Sequence, residues 1–251
     1  MRTSKVSGLM KLRSIRRYPI KGLAGESLTE TPIMPGQTIA SDRQYALQYR
    51  DRMPPLASGW RPKKYFLQSV HTNLCSDIQI QWEDDTIHLR YHDQTLCLSR
   101  DPIDQGTLTG WMTMLDPSLG EFTVERLDSG FTDEPEPYVS LINQATVTAI
   151  ATATATADHP ERYRGNVLID GIPAFEELNW IGQTIAIGSA EFEVVEPIVR
   201  CRATECDWNG TRTPDFLSRL DQHLQTDICG LFLRSMTQGS IAVNDPLQLI
   251  T

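Results

Sequence analysis

The chain has 251 residues, 40% of them hydrophobic and 22% charged, which suits one large domain or two small ones and excludes wholesale disorder. It contains no run of about 18 uncharged apolar residues, so no membrane-spanning helix is expected. The net charge of -9 argues against a general polyanion binder, because nucleic-acid affinity rests on neutralising phosphates.

That charge is uneven. All the lysines (Lys5, Lys11, Lys21, Lys63 and Lys64) fall in the first 64 residues, so a single small anion held by a lysine and a few arginines remains compatible with the composition. The basic start, residues 1–11, lacks the apolar stretch of a signal peptide, and the cytoplasm is the expected location.

In chain order, most segments read as short strands. Residues 77–91 alternate apolar and polar side chains around an Asp84-Asp85 turn, a hairpin pattern, and residues 121–127 alternate in the same way. An acidic, proline-containing stretch at 128–137 carries no core pattern and marks a boundary. The Ala/Thr run at 149–157 is low in complexity and fits either a strand or a short helix packed on one face. A short helix is expected over 173–178 and a hairpin over 183–195, turning near Gly188. Residues 214–224 hold the best helical pattern, with Phe216, Leu217, Leu220 and Leu224 on one side. A last strand over 240–250 is broken by the turn Asn244-Asp245-Pro246. The expected class is mainly β with a few short helices.

Five cysteines, an odd number, argue against a disulfide framework. Cys75 and Cys97 sit among apolar or strand-forming neighbours and are expected to be plain buried residues. Cys201, Cys206, His223 and Cys229 form C-x4-C-x16-H-x5-C, a zinc-like set whose spacing is loose for a ribbon or finger.

Three clusters hold residue types suited to chemistry. The first is Tyr18-Pro19-Ile20-Lys21-Gly22 followed by Ser41-Asp42-Arg43; its plain reading is a surface lysine and a local ion pair. The second is Arg162-Tyr163-Arg164-Gly165-Asn166, either a basic, solvated strand start or a site with a close-approach glycine and an asparagine able to read a polar ring edge. The third is Arg200-Cys201-Arg202-Ala203-Thr204. Two arginines favour a thiolate, the reactive and metal-binding form, and fork onto phosphate; the plain alternative is a buried cysteine beside surface arginines.

Taken together and in order, these clusters resemble the MOSC family, which includes the mitochondrial amidoxime-reducing components and the C-terminal domain of molybdenum cofactor sulfurase. Residues 15–22 and 41–45 resemble the β-barrel domain that precedes MOSC. Arg162 to Asn166, Trp180-Ile181-Gly182, Arg200 to Thr204, Cys229-Gly230-Leu231-Phe232 and the turn at Asn244 resemble MOSC itself. The resemblance implies an N-terminal β-barrel-like domain over residues 9–128 packed on a MOSC β-barrel over residues 129–251.

It implies a molybdenum cofactor (Mo-molybdopterin), with Cys201 as the metal ligand and catalytic residue. Arg164 and Asn166 would contact the pterin, Lys21 and Arg43 would hold its phosphate end, and Arg200 would join the cofactor-binding set. The implied reaction is two-electron reduction of a small N-hydroxylated or N-oxygenated substrate. The implied alternative is a sulfur or cofactor carrier using a Cys201 persulfide. Pyridoxal phosphate is not expected, because the second half has no lysine for a Schiff base. No iron–sulfur cysteine set precedes Thr251, so the expected electron source is a separate protein, a ferredoxin or a b-type cytochrome with a flavin reductase. Three departures stand out: Gly22 where serine is common, Val199 two residues before the cysteine, and Asn244 in place of a glycine, which asparagine's tolerance of left-handed backbone makes harmless. Residues 67–71 also diverge, in a region implied to bear on substrate recognition.

Overall fold

The alternation of apolar and polar residues along short segments becomes strand after strand in the computed structural model, which describes residues 10–52, 59–83, 85–100 and 102–250. Asp84 of the expected turn and Lys5 of the basic start lie outside these residues.

The first strands are β1 (Lys11–Arg17), β2 (Ile20–Lys21), β3 (Glu26–Leu28), β4 (Glu30–Ile33) and β5 (Tyr45–Tyr49). A one-turn helix α1 (Leu74–Asp77) leads into β6 (Gln79–Glu83), β7 (Thr86–Tyr91) and β8 (Gln94–Ser99), followed by α2 (Gln105–Leu115) and β9 (Phe122–Arg126). The second half contains β10 (Val139–Asn143), α3 (Gln144–Thr154), β11 (Val167–Asp170), β12 (Thr184–Ile187) and β13 (Ala190–Val199). It ends with α4 (Phe216–Leu224), β14 (Ile228–Ser235), β15 (Gly239–Ala242) and β16 (Leu247–Ile250).

With 37% strand against 23% helix the fold is mainly β: a large curled half-barrel sheet, smaller sheets and a few short helices. The large sheet runs β16-β12-β13-β14-β10-β11-β1-β3, so its last two strands come from the start of the chain. β4 likewise pairs with β15, matching Ile33 to Gly239 and Glu30 to Ala242. Leu12, Ile15, Ile33 and Ile39 are buried with Val139, Ile169, Phe192 and Leu231 in one core. Hydrogen bonding and burial thus join residues 11–33 to the second half. The remaining front strands form two three-stranded sheets, β2-β5-β9 and β6-β7-β8, over a separate core that includes Leu47, Ile80, Trp82, Leu108 and Met112.

The expected hairpins form as β6–β7 and β12–β13, and Asn244 has φ 76°, the left-handed backbone its turn requires. The Ala/Thr run resolves as helix: Asn143 caps α3 by accepting from Ala145 N–H, and Val147, Ile150 and Thr154 face inward. Helix α2 had no clear pattern in the sequence; Asp104 caps it through Thr107 N–H, and it buries Leu108, Trp111 and Met112. Cys97 corrects one expectation. Cys75 is buried, but Cys97 is exposed, because β8 is an edge strand whose alternation turns Leu96 and Leu98 inward and Cys97 outward. Among the described residues no helix is long and apolar enough to cross a membrane.

Candidate functional site

A cavity of about 320 Å³ lies where the two halves meet, and the residues singled out from the sequence, Lys21, Arg43, Arg164, Asn166, Arg200 and Cys201, all line it. Their roles within it differ.

The cationic part is built around a ring. Arg43 and Arg164 place their guanidinium carbons 4.8 and 4.3 Å from the centroid of Tyr18. Both arginines have positive φ, 51° and 53°, a conformation few non-glycine residues adopt and one that costs on the order of 1–3 kcal/mol each. Arg43 pairs with Asp42 and donates to the Arg164 carbonyl at 2.9 Å. Lys21 is buried and donates to the Phe131 carbonyl at 2.8 Å and to Asp133 at 3.0 Å. Burial pushes the Lys21 ammonium below its ordinary value against the pull of Asp133, whose own carboxyl Lys21 holds well below the usual carboxylate range. Arg164 is different. Among the described residues its guanidinium donates to no protein group, and burial, followed by the neighbouring Arg43, works against its charge while Tyr18 favours it. A half-buried cation with free donors facing a cavity is a receptor for an anion.

The thiol part centres on Cys201, half-buried at the start of a 3-10 turn over Arg202–Glu205. Its carbonyl accepts from Thr204 N–H at 3.0 Å and from Thr204 Oγ1 at 2.8 Å, which fixes the cysteine's backbone. Lys63 Nζ donates to Cys201 Sγ at 3.0 Å. Burial alone would depress the Lys63 ammonium, but the contact with Cys201 and the nearby Asp133 and Glu134 raise it overall. Gln68 Nε2 in turn donates to the Lys63 carbonyl at 2.5 Å, so the ammonium is held from its own segment.

Several sequence candidates serve as framework. Arg200 spends its guanidinium on backbone carbonyls, donating to Tyr163 O at 3.0 Å and from Nε to Cys229 O at 2.7 Å. Asn166 is buried, with Oδ1 accepting from Ser140 N–H and Oγ at 3.1 and 2.8 Å and Nδ2 donating to the Arg16 carbonyl at 3.2 Å. Both residues border the cavity while their polar atoms hold strands and loops together. Arg162 does the same work more deeply. It pairs with Asp207 at 2.5 Å, the side chains 2% and 4% exposed, and donates to Thr204 O at 2.9 Å, locking the loop of Arg164 to the loop of Cys201. Gly22 has φ +89°, and an added Cβ would lie 2.4 Å from Leu67 O, so serine cannot stand there without moving residues 67–68.

The zinc-like set does not assemble. Among the described residues no group of three or more His, Cys, Asp or Glu is placed to hold a metal. Cys206 lies against Ser69 O and Arg212, while Cys229 is sealed in the core with its thiol pushed up to about 12 by burial. Sequence reasoning missed Lys63 and the ring role of Tyr18. Lys63 could have been suspected as one of few lysines in an acidic chain, yet only the fold brings it across 138 positions to Cys201.

A soft, half-exposed thiol and an unspent guanidinium in one polar cavity match the donors that a metal-bearing, anionic cofactor needs, so the residues present fit such a group.

With this geometry goes a family match: residues 128–248 match the model of the MOSC domain, a family that includes molybdenum-cofactor reductases. No curated protein matches the sequence. Among solved structures, the YuaD protein from Bacillus subtilis is 12% identical, with a TM-score of 0.49, over 95% of this chain and 93% of that one. YiiM from Geobacillus stearothermophilus (17% identical, TM-score 0.37) and YiiM from Escherichia coli (15%, TM-score 0.36) each overlap 45% of this chain. The overlap covers 54% of either YiiM chain.

Proposed function

We propose that the cavity binds a pyranopterin molybdenum cofactor, with Cys201 as the protein's ligand to the metal, and that the protein reduces small N-hydroxylated or N-oxygenated compounds. The observation that carries this reading is the meeting, in one cavity, of a thiol contacted by an ammonium and a half-buried guanidinium with free donors. The bound group would supply the two-electron chemistry of oxygen removal.

The chain's own residues do the remainder. Cys201 offers a sulfur whose approach is set by the Thr204 contacts to its carbonyl and which accepts a hydrogen bond from the ammonium of Lys63. Arg164 and Arg43, fanned about Tyr18, receive the anionic end, while Lys21 adds positive charge behind them. Arg162 and Arg200 hold the two loops in register so that both ends of the cavity face one guest. Electrons are supplied by a separate protein. The half-exposure of Cys201 favours a second reading, a sulfur or cofactor carrier that bears a persulfide on the same atom.

Metal and pterin analysis of protein from a cofactor-producing host tests the first reading. Near-stoichiometric molybdenum in the wild type that disappears in Cys201→Ala is the expected result. Molybdenum retained in that variant, or zinc alone in both proteins, would overturn it. Cyanide-releasable sulfur on Cys201 without turnover would select the carrier.

A further inference from the structure

We propose that Cys97, with His88 and Glu83 beside it on the open face of the β6-β7-β8 sheet, is a site of S-thiolation: its thiol exchanges with small-molecule disulfides while His88 takes the thiol proton. None of the three residues lines the cavity of Cys201, so the proposal stands apart from the function assigned to that cavity.

Sheet register, not a loop, brings the cluster together. In the antiparallel order β6-β7-β8, His88 stands opposite Gln81 on one side and opposite Cys97 on the other. Cross-strand partners project from the same face of a sheet. Alternation turns Ile80, Trp82, Ile87, Leu89 and Leu98 into the core, so Gln81, Glu83, His88 and Cys97 point the other way, with Cys97 exposed on the edge strand. Arg90, two residues along β7 on that outer face, is engaged with Gln79 Oε1 at 3.1 Å.

His88 Nδ1 lies 3.3 Å from Cys97 Sγ, within hydrogen-bond reach of a thiol, and Glu83 Oε2 lies 4.0 Å from Nε2 of the same ring. Gln81 Nε2 donates to Glu83 Oε1 at 2.5 Å and holds the carboxylate beside the ring. A carboxylate near Nε2 favours the tautomer with its proton there, which leaves Nδ1 to accept from the thiol. A nucleophile, a base within hydrogen-bond reach and a third group that orients the base is the arrangement that activates a cysteine. The open face lets a small disulfide, RS–SR, reach the sulfur. Cys97 sulfur attacks one sulfur of the disulfide, its proton passes to His88 Nδ1, and the old S–S bond breaks as the new one forms. The departing thiolate takes the proton from His88, so the products are Cys97–S–SR and RSH. Cys97 is oxidised and half of the disulfide is reduced, with no further electron acceptor required. The other thiols are placed differently: Cys75, Cys206 and Cys229 are buried, and Cys201 is half-buried against Lys63.

Incubation of the reduced chain with oxidised glutathione at neutral pH, followed by intact and peptide mass spectrometry, tests this. One glutathionyl group is expected on Cys97 ahead of the other cysteines, and dithiothreitol should remove it. His88→Gln keeps a polar side chain on the same face but no base, and should slow the adduct about tenfold, less than a base enclosed in an active site contributes. At about pH 10, where a thiol ionises without help, the wild type and His88→Gln should react alike. No adduct on Cys97, or equal rates at neutral pH in a His88→Gln variant of native melting temperature, would overturn the proposal. A rate difference that persists at high pH would overturn it as well, marking His88 as a steric neighbour only. Should His88→Gln fail to fold, Glu83→Gln takes its place: a severalfold fall in rate is expected, and an unchanged rate would overturn the proposal.

Discussion

Gly22→Ala is expected to destabilise the protein more than its left-handed backbone alone accounts for. At φ +89° a Cβ meets Leu67 O at 2.4 Å and Gln68 Cα at 3.2 Å, where ordinary contact begins at 3.4 Å, so the overlap with the carbonyl is about 1 Å. The left-handed conformation costs roughly 1–2 kcal/mol, and forcing backbone aside in a packed site adds roughly 1–3 kcal/mol. Gly182 supplies the control, with φ +81° and nothing within 4 Å of an added Cβ, so Gly182→Ala should show only the first cost. For a chain of this size each kcal/mol lowers Tm by about 2–4 °C. The expected fall is therefore about 2–8 °C for Gly182→Ala and about 4–20 °C for Gly22→Ala by scanning calorimetry. The damage should also reach the site: moving residues 67–68 displaces Gln68, which holds the Lys63 carbonyl, and Lys63 contacts Cys201. Equal Tm losses in the two variants would refute the reasoning, and with it the account of why glycine rather than serine stands at position 22.

Lys63→Gln removes a solvent-exposed charged contact worth about 0.2–1 kcal/mol and should slow alkylation of Cys201 by iodoacetamide at neutral pH by up to about fivefold, read by mass spectrometry on the intact chain. An unchanged rate would show that the ammonium does not act on the sulfur. Arg162→Ala should cost about 3–5 kcal/mol in denaturant unfolding because Asp207 is left buried without its cation, whereas Arg162→Met with Asp207→Leu should cost less than either single change; additive losses would argue against coupling. Glu177 is fully buried and accepts from Asn143 Nδ2 and Thr146 Oγ1 at 2.7 Å each, and burial raises its carboxyl above 4.5 despite these contacts. The folded state thus holds this proton more tightly than the unfolded chain, so its contribution is full below about pH 4.5 and is lost as pH rises through the folded value. Stability curves of the wild type and Glu177→Gln should therefore diverge as pH rises across that window, and parallel curves would contradict the raised carboxyl.

The hairpins 79–91 and 184–199 were legible because alternation with a period of two directly reports which face of a strand is buried. Helix α4 was legible for the same reason at a period near four, its Phe216 and Leu220 buried as the pattern implies. Helix α2 was not, because Gly106, Gly110 and three threonines blur its periodicity, and only burial of Leu108, Trp111 and Met112 shows which face counts. Cys97 was misplaced since an edge strand has one covered face, and its neighbours do not say which residue faces out.

At the site, local sequence supplied residue types: a cysteine between arginines, and a lysine, arginines and an asparagine in recurring company. What those side chains do was decided by contacts too distant to appear in any short window. Arg164 is left unspent while Arg200 and Asn166 are consumed by backbone partners, a distinction set by Cys229, Tyr163, Ser140 and Arg16. Lys63 reaches Cys201, 138 positions away, only because strands from both ends of the chain share a sheet. A segment's own residues determine its period and its chemistry, whereas charge pairing and exposure depend on every group the fold brings within a few ångströms, and those are known only once the chain has closed on itself.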